Sequence, residues 1–331
     1  MKKIILSLVA LLIGTTATFA QSSLLATLTH EGATAIYYGT TAFSQAMAEA
    51  ADGDVITLSS GTFTAAKIDK AITLRGAGMA TDAASHSEPT ILSGSFDVTS
   101  GNLTIEGVYC SDYLRFTNST PNTTLAGITL LKCRFKQITN YNNTKLENLT
   151  MIHCKVASDM TTSSGSSVSL LNCIVWEPYI EGQWEFTNCV IKKYNLGSSF
   201  SNSTFKNCVF VGCANTQFPS SNTLFNCVAM NKDCFGLFSN LSNQTNIVLN
   251  DYTTVFKTCT DGTYSDNETF ELIDGAATTF TGTDGTQVGI YGGSLPFDMR
   301  TSNPRITQAV VAPKSDINGN LQINITVQGA E

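Results

Sequence analysis

One short apolar pattern recurs about every twenty residues through the middle of the chain and constrains its fold more than any other feature. Two apolar residues in alternate positions precede a cysteine, as expected for a β-strand with one buried face. The cysteines are Cys110, Cys133, Cys154, Cys173, Cys189, Cys208 and Cys227. They are separated by 23, 21, 19, 16, 19 and 19 residues, so the strands keep a constant length while the connecting loops vary.

The apolar face changes register at each cysteine, which predicts a bend in the chain. Leu170 lies three residues before Cys173, an odd step, and the next apolar position of the repeat, Val175, lies two residues after it. Asparagine precedes the cysteine in the later repeats, and asparagine tolerates the left-handed conformation that a tight corner needs. These corner residues are Asn172, Asn188, Asn207 and Asn226. Two short strands that meet at a corner predict one coil of a parallel β-solenoid, with ladders of hydrogen-bonded asparagine amides and of inward cysteines.

These repeats resemble those of right-handed parallel β-helix proteins of the pectate-lyase-like group, in which asparagine ladders recur at a corner. The preceding segment is also similar: Ala42-Phe43, Ala46-Met47 and Ala50 have helical spacing, and a strand-like stretch follows from Gly53 to Leu58. The resemblance covers residues 35–260. It implies an all-β, single-stranded right-handed parallel β-helix with a short N-terminal capping helix. It implies no single activity, because this fold hosts lyases, hydrolases, esterases, epimerases and adhesins.

Both ends of the chain carry further signals. Lys2 and Lys3, an apolar stretch from Ile4 to Ile13, and the small residues that end at Ala20 predict a cleavable secretory signal of a bacterial protein. The mature protein is expected to be periplasmic, attached to the cell surface or extracellular. No later run reaches the ~20 apolar residues of a membrane span.

The predicted divisions of the chain follow from these patterns. They are the signal peptide 1–20, the N-terminal cap region 21–52, the parallel β-helix 53–262, a C-terminal closing segment 263–303 and a C-terminal β-hairpin extension 304–331. Two alternating runs on either side of Asn318-Gly319 indicate the hairpin. It is a terminal cover, an additional strand pair or an attachment element used in export.

Charge and composition exclude two classes of protein. The chain has 19 Lys and Arg against 26 Asp and Glu, a formal charge of −7, so it has no basic stripe for a nucleic acid. Its 42% of hydrophobic residues exclude a disordered chain.

The ten cysteines allow two interpretations. Export would favour disulfides, whereas seven cysteines at one inward position favour a reduced structural ladder. Any disulfide should involve Cys213, Cys234 or Cys259, which fall outside the repeat. No CxxC pair occurs and the histidines are scattered, so no metal site is predicted. No cofactor is expected, although the resemblance leaves Ca²⁺ open, since lyases of this group hold it with acidic residues.

The stretch 176–185 holds both tryptophans of the chain and is the candidate binding loop. Aromatic rings offer flat faces to sugars, and carboxylates accept hydrogen bonds from hydroxyls or bind Ca²⁺. The candidate ligand-binding residues are Trp176, Glu177, Tyr179, Glu181, Lys192 and Tyr194. Trp184, at an inward position of its repeat, is predicted to lie in the core instead.

Two functions fit these patterns. The first is an exported, non-catalytic protein that binds polysaccharide or another cell-surface or extracellular component. The alternative is a polysaccharide lyase or glycoside hydrolase of the pectate-lyase-like group. No catalytic residue is assigned, because the outward-facing acidic and basic residues are scattered over several coils and match no catalytic motif.

Overall fold

In the computed structural model the chain winds into a parallel β-solenoid of about eight turns. Each turn contributes a strand to one sheet, sheet A, and after a corner one or two strands to a second sheet, sheet B. The structure describes residues 24–81, 88–179, 182–192, 202–212, 222–230, 247–249, 251–262, 265, 268–302, 305–311, 313–315 and 317–328.

Sheet A has eleven strands, of which the first two pair antiparallel at the N-terminal end and the others pair in parallel. Its strands are Leu25–His30, Ala33–Tyr38, Val55–Leu58, Thr73–Arg75, Thr104–Glu106, Thr129–Leu131, Leu149–Ile152, Ser166–Leu171, Gly182–Thr187, Thr204–Lys206 and Thr223–Phe225. Inward residues of successive coils pair in register, as Leu130 does with Met151, so the core repeats from coil to coil.

Sheet B has thirteen strands and faces sheet A across the core. Its strands are Gly61–Thr64, Thr90–Ser93, Phe96–Val98, Val108–Phe116, Arg134–Asn140, Lys155–Val156, Met160–Thr161, Ile174–Trp176, Pro178–Tyr179, Val190–Lys192, Val209–Val211, Val228–Ala229 and Ile247–Val248. A short parallel pair, Thr124–Ala126 with Lys145–Glu147, lies between the end of sheet B and the return to sheet A.

Helices are few and short. Among the described residues, the α-helices are Ala42–Glu49 and Asp274–Thr279, and Tyr252–Thr254 is a 3-10 turn. Phe43 and Met47 of the first helix are buried in the main core, so the predicted N-terminal capping helix is present. Among the described residues, no helix has the length and apolar character needed to cross a bilayer.

A column of buried thiols runs through the core beside the corner. Its members are Cys133, Cys154, Cys173, Cys189, Cys208 and Cys227. Each Sγ lies within hydrogen-bond distance of a carbonyl oxygen of the preceding coil, as the Cys154 Sγ does at 3.3 Å from the oxygen of Leu130. Because a thiol is small, apolar and a weak donor, it fills the bend and can still donate to that carbonyl. The predicted cysteine ladder is confirmed for these six residues.

Cys110 does not belong to this column, and its assignment to the ladder is wrong. It pairs with Phe135 of the next coil, two positions beyond the ladder cysteine of that coil. Val108 is the buried residue two positions before Cys110. An apolar side chain fills the ladder position here, so an alignment on cysteine identity shifted this coil by two residues.

Each sheet A strand in the repeat region ends at a corner residue with left-handed backbone. The predicted corner asparagines Asn172, Asn188, Asn207 and Asn226 have φ values of 50°, 52°, 56° and 48°. Lys132 and His153 hold the same conformation in the earlier coils, with φ values of 51° and 53°. The corner N–H still donates to the next coil, as that of Asn172 does to Thr187 at 3.0 Å, so the turn preserves the hydrogen bonding between coils.

The segment 281–302, which we call the strap, runs back along this corner column. The Asn226 amide donates to the Thr281 carbonyl at 3.1 Å. The Asn172 Nδ2 lies 2.7 Å from the Ile290 oxygen and 2.8 Å from the Gly292 oxygen. The predicted stacking of corner asparagines is confirmed, but these amides donate to the strap where amide-to-amide bonds were expected.

The strap continues to the earlier coils. The Lys132 ammonium donates to the Arg300 carbonyl, and the buried Glu106 carboxylate accepts from the N–H and hydroxyl of Ser302 at 2.7 and 2.6 Å. The strap therefore lies along the side of the solenoid, from the last coils back to Glu106.

His153 is the buried corner residue halfway along the strap. Its Nε2 lies 3.0 Å from the Leu295 oxygen, and its ring meets the Phe297 ring edge-on at 5.8 Å. Burial lowers the pKa of His153 from its ordinary value of 6.5, because the core disfavours the imidazolium. The charge of Lys132 also lowers the pKa of His153, whereas that of Asp298 raises it.

A second core covers the outer face of the last sheet B strands. Val190, Val209 and Val228 pack there against residues of the segment 255–290. Trp176 belongs to this core, is only 3% exposed and lies with its ring centroid 5.4 Å from that of Phe270. The expectation that Trp176 presents a free ring to a sugar is therefore wrong, because another segment of the chain covers it.

The chain ends in an antiparallel hairpin, Arg305–Val311 with Ile323–Gln328, as predicted. Ile323, Ile325 and Val327 alternate along the second strand and are 52%, 55% and 56% exposed. The hairpin therefore carries an apolar face that the described residues leave uncovered.

We expect the eight buried thiols of the described residues, which are the six of the ladder with Cys110 and Cys259, to be reduced and unreactive. Burial raises the pKa of the Cys133 and Cys154 thiols well above the ordinary value and that of Cys110 to about 12, and the thiolate is the reactive form. The test uses a variant that carries Cys213→Ser and Cys234→Ser, both outside the described residues. DTNB should react with no thiol of this variant in its native state and with eight thiols once the variant is unfolded in guanidinium chloride. A smaller number from the unfolded chain would contradict a reduced ladder.

We expect Asn172→Ala to destabilise the protein more than Asn188→Ala. Both residues have left-handed backbone, but only the Asn172 side chain has described bonds to the strap. Its removal leaves the Ile290 and Gly292 oxygens without these donors, so the difference between the two variants should be about 2 kcal/mol. Unfolding in urea measures it. Equal losses in the two variants would show that the strap bonds contribute nothing.

We expect the stability of the protein to depend on His153 below neutral pH. The unfolded histidine takes up a proton near pH 6.5 and the folded one only at lower pH, so acidification through this range favours the unfolded state. His153→Asn should remove this part of the pH dependence, because asparagine fills the same corner in the following coils. Urea unfolding at about pH 7.5 and about pH 5.5 tests it. An identical pH dependence in the two proteins would contradict it.

Candidate functional site

The coils become shorter in the middle of the solenoid. From Cys133 the successive distances to Cys154, Cys173 and Cys189 are 21, 19 and 16 residues. The sheet A strands of these coils stay in register, so the shortening falls on the path from the corner through sheet B and back. The turn that follows sheet B is therefore longest in the first of these coils and recedes in the next two.

A cleft of about 670 Å³ lies where the turns recede. Side chains of successive coils line it, and almost all of them are polar. The lining residues are Asn122, Asn140, Tyr141, Asn142, Asn143, Lys145, Thr161, Thr162, Ser163, Ser164 and Tyr179. The Tyr141 and Tyr179 side chains are 51% and 41% exposed, so two aromatic rings border a cleft rich in amides and hydroxyls.

The longest of these turns, residues 141–144, is held in shape by local hydrogen bonds. Asn142 and Asn143 both have left-handed backbone, with φ values of 56° and 51°. The Asn142 amide donates to the Asn118 carbonyl of the preceding coil at 2.9 Å, and the Asn140 amide donates to the Thr144 carbonyl at 3.0 Å. The cleft is therefore largely pre-formed, as small-molecule sites usually are.

Two polar groups of the cleft have no described partner. Thr162 is 4% exposed, and its Oγ1 is buried without a hydrogen bond to any described residue. A buried hydroxyl without a partner costs about 1–3 kcal/mol, so a ligand that bonds this hydroxyl would recover that cost. Lys145 has no ion pair with a described residue, and no carboxylate occurs among the described lining residues. The cleft thus offers uncharged hydrogen-bonding groups, two rings and one cation.

Of the described residues that were predicted to bind ligand, one lines this cleft. That residue is Tyr179, which lies in the strand Pro178–Tyr179 and pairs with Thr161 of the preceding coil. Glu177 and Lys192 do not line it and form an ion pair at 2.9 Å, with Oε1 facing Nζ. They bind each other next to the second core, where Trp176 is buried.

The remaining predicted binding residues, Glu181 and Tyr194, lie outside the described residues. Tyr141 is not among the predicted binding residues, yet it lines the cleft together with Tyr179. A signal for it exists: Tyr141 stands among Asn140, Asn142 and Asn143, and such an aromatic residue in an asparagine-rich turn is expected to be exposed.

The outward charged residues form ion pairs of their own. Arg115 Nε lies 2.7 Å from Asp97 Oδ1, and Asp112 accepts from the Ser95 hydroxyl at 2.7 Å and lies 3.6 Å from the Lys136 ammonium. None of these charged residues lines the cleft. Nor does any group of three or more His, Cys, Asp or Glu side chains among the described residues come close enough to hold a metal ion.

Comparison of the chain with protein-family models, with curated proteins and with solved structures finds no match.

Proposed function

We propose that this protein binds polysaccharide, without cleaving it, in the cleft bordered by Tyr141 and Tyr179. The observation that carries the proposal is the pairing of these two exposed rings with the unpartnered Thr162 hydroxyl inside one pre-formed polar cleft. A sugar supplies apolar ring faces for the tyrosines and hydroxyls that can bond Thr162 and the asparagine amides.

The composition of the cleft favours binding over cleavage. Acid–base cleavage of a glycosidic bond generally needs a pair of carboxylates or a carboxylate with a base on either side of that bond. The described lining residues provide Lys145 but no carboxylate. The alternative, a lyase or hydrolase of the pectate-lyase-like group, therefore requires a site elsewhere on the solenoid. Product analysis in the experiment below separates the two functions.

The cellular setting is part of the proposal. The predicted signal peptide 1–20 lies outside the described residues and supports export to the periplasm, the cell surface or the exterior. An exported binding protein would meet polysaccharide or another cell-surface or extracellular component there. The exposed apolar face of the C-terminal hairpin is compatible with attachment to such a component.

We expect Tyr141→Ala and Tyr179→Ala each to weaken polysaccharide binding about tenfold, because each removes one aromatic platform. The experiment is titration calorimetry of the mature protein against xylan, galactomannan, polygalacturonate and a sulfated dextran, with and without Ca²⁺. Tyr113→Ala is the matched control, since Tyr113 is 36% exposed on sheet B but does not line the cleft.

The outcomes have distinct meanings. A polymer bound by the parent protein and by Tyr113→Ala, but weakly by the two cleft variants, supports the proposal. Equal binding by all four proteins would place any site outside the cleft. Release of reducing or unsaturated ends from any polymer would overturn the non-catalytic function.

A further inference from the structure

The cleft bordered by Tyr141 and Tyr179 contains groups that can donate hydrogen bonds but cannot accept them. The Lys145 ammonium has three such donors, and each backbone N–H has one. No carboxylate occurs among the described lining residues, so these residues supply no anion to meet the cation. A ligand with charged oxygen atoms would provide both the acceptors and the negative charge.

The next coil holds Lys145 at the cleft. Its aliphatic chain lies along Gly165, where an added Cβ would be 4.0, 3.7 and 3.6 Å from Cδ, Cε and Nζ. Ser163 and Ser164 of the same turn line the cleft. No ion pair joins Lys145 to a described residue, and this includes Glu147, which lies two residues along its strand. The ammonium is therefore positioned by packing and available to an anionic ligand.

The turn that precedes Lys145 adds two donors. The Thr144 N–H donates to the Tyr141 carbonyl at 3.0 Å and closes the turn. Its two central residues, Asn142 and Asn143, have left-handed backbone, as in a type I′ turn, and both line the cleft. Neither of their N–H groups has an acceptor among the described residues. Successive N–H groups of a turn are a common anion-binding arrangement.

The buried Thr162 hydroxyl lies in the same cleft. Thr162 is 4% exposed, and its Oγ1 has no described partner. A hydrogen bond to a charged oxygen is about twice as strong as one between neutral groups. A carboxylate or sulfate would therefore recover more of the cost of burying this hydroxyl than a neutral sugar hydroxyl would.

The charge of the protein limits how acidic the ligand can be. The chain carries a formal charge of −7 and repels anions at long range, so the attraction must come from groups in direct contact. Lys145 is the one cation among the described lining residues, and it neutralises one negative charge. A sparsely charged ligand therefore fits this cleft better than a polyanion does.

We infer that the cleft selects a glycan segment with one acidic sugar, whose carboxylate or sulfate contacts Lys145 directly, without a bridging Ca²⁺. The inference rests on the proposed function, because it names the ligand of the same cleft. Neighbouring neutral sugars supply the apolar faces that the two tyrosine rings contact. Ca²⁺ sites are usually built with Asp or Glu carboxylates, and the described lining residues include neither.

Titration calorimetry of the mature protein with oligosaccharides tests the inference. The acidic probes are a xylo-oligosaccharide with a single glucuronate, a malto-oligosaccharide with a single sulfate, and a hyaluronan oligosaccharide. Each is compared with the same oligosaccharide after carboxyl reduction or without the sulfate. We expect at least one acidic probe to bind about tenfold more tightly than its neutral form, both in Ca²⁺ and in EDTA. The carboxylate and sulfate probes show which anion the cleft accepts.

Two pairs of variants locate the anion. Lys145→Met should remove the preference for the acidic form, whereas Lys145→Arg, which keeps the charge, should retain it to within about threefold. Gly165→Asp introduces a carboxylate beside the Lys145 ammonium and should also remove the preference. Gly165→Asn is the matched control, because it has the same size and the same φ of +79° to accommodate but no charge. Thermal unfolding of each variant shows whether it is folded.

The outcomes separate this inference from the proposed function. Equal binding of acidic and neutral forms, a preference that EDTA removes, or a preference that survives in Lys145→Met would each overturn the inference. In these cases binding that still depends on Tyr141 and Tyr179 leaves the proposed function in place. If no acidic probe binds, the inference fails, and if the polysaccharides tested above do not bind either, the proposed function fails with it.

Discussion

The left-handed corner at the end of each sheet A strand is the constraint on which the rest of the structure depends. With φ near 50°, the corner residue turns the chain toward sheet B while its N–H still donates to the next coil. The same residue directs its side chain out of the core and toward the strap, as Asn172 does toward Ile290. One residue per coil therefore fixes the direction of the chain, the register between coils and the path of the C-terminal segment.

The sequence predicts what is local and repeated. Asn172 and Cys173 recur as a pair in the later coils, so the corner and the thiol column can be read from spacing alone, and Trp184 is buried as its position predicts. Contacts between distant segments leave no such trace. The bond from Asn172 to Ile290 spans 118 residues, and the cover over Trp176 comes from a segment without repeats. Continuous apolar runs such as 209–211 do indicate strands buried on both faces.

The position of the cleft cannot be read from the sequence alone. The coil lengths of 21, 19 and 16 residues are visible in the sequence, but they do not say which part of the coil shortens. The register of sheet A shows that this sheet keeps its length, so the opposite turn must recede. Tyr141 and Tyr179 therefore both line the cleft, although they belong to coils two turns apart.

The cleft depends on two opposite properties of one scaffold. The turns after sheet B change length there, while the sheet A strands of the same coils keep their register. A single neutral hydrogen bond contributes only about 0.5–1.5 kcal/mol, so a cleft of amides and hydroxyls binds a ligand firmly only if several of these groups are in place together. Backbone bonds between coils hold them in place before the ligand arrives, and little ordering cost remains at binding. A repeating solenoid is thus suited to recognise a repeating ligand through many weak contacts.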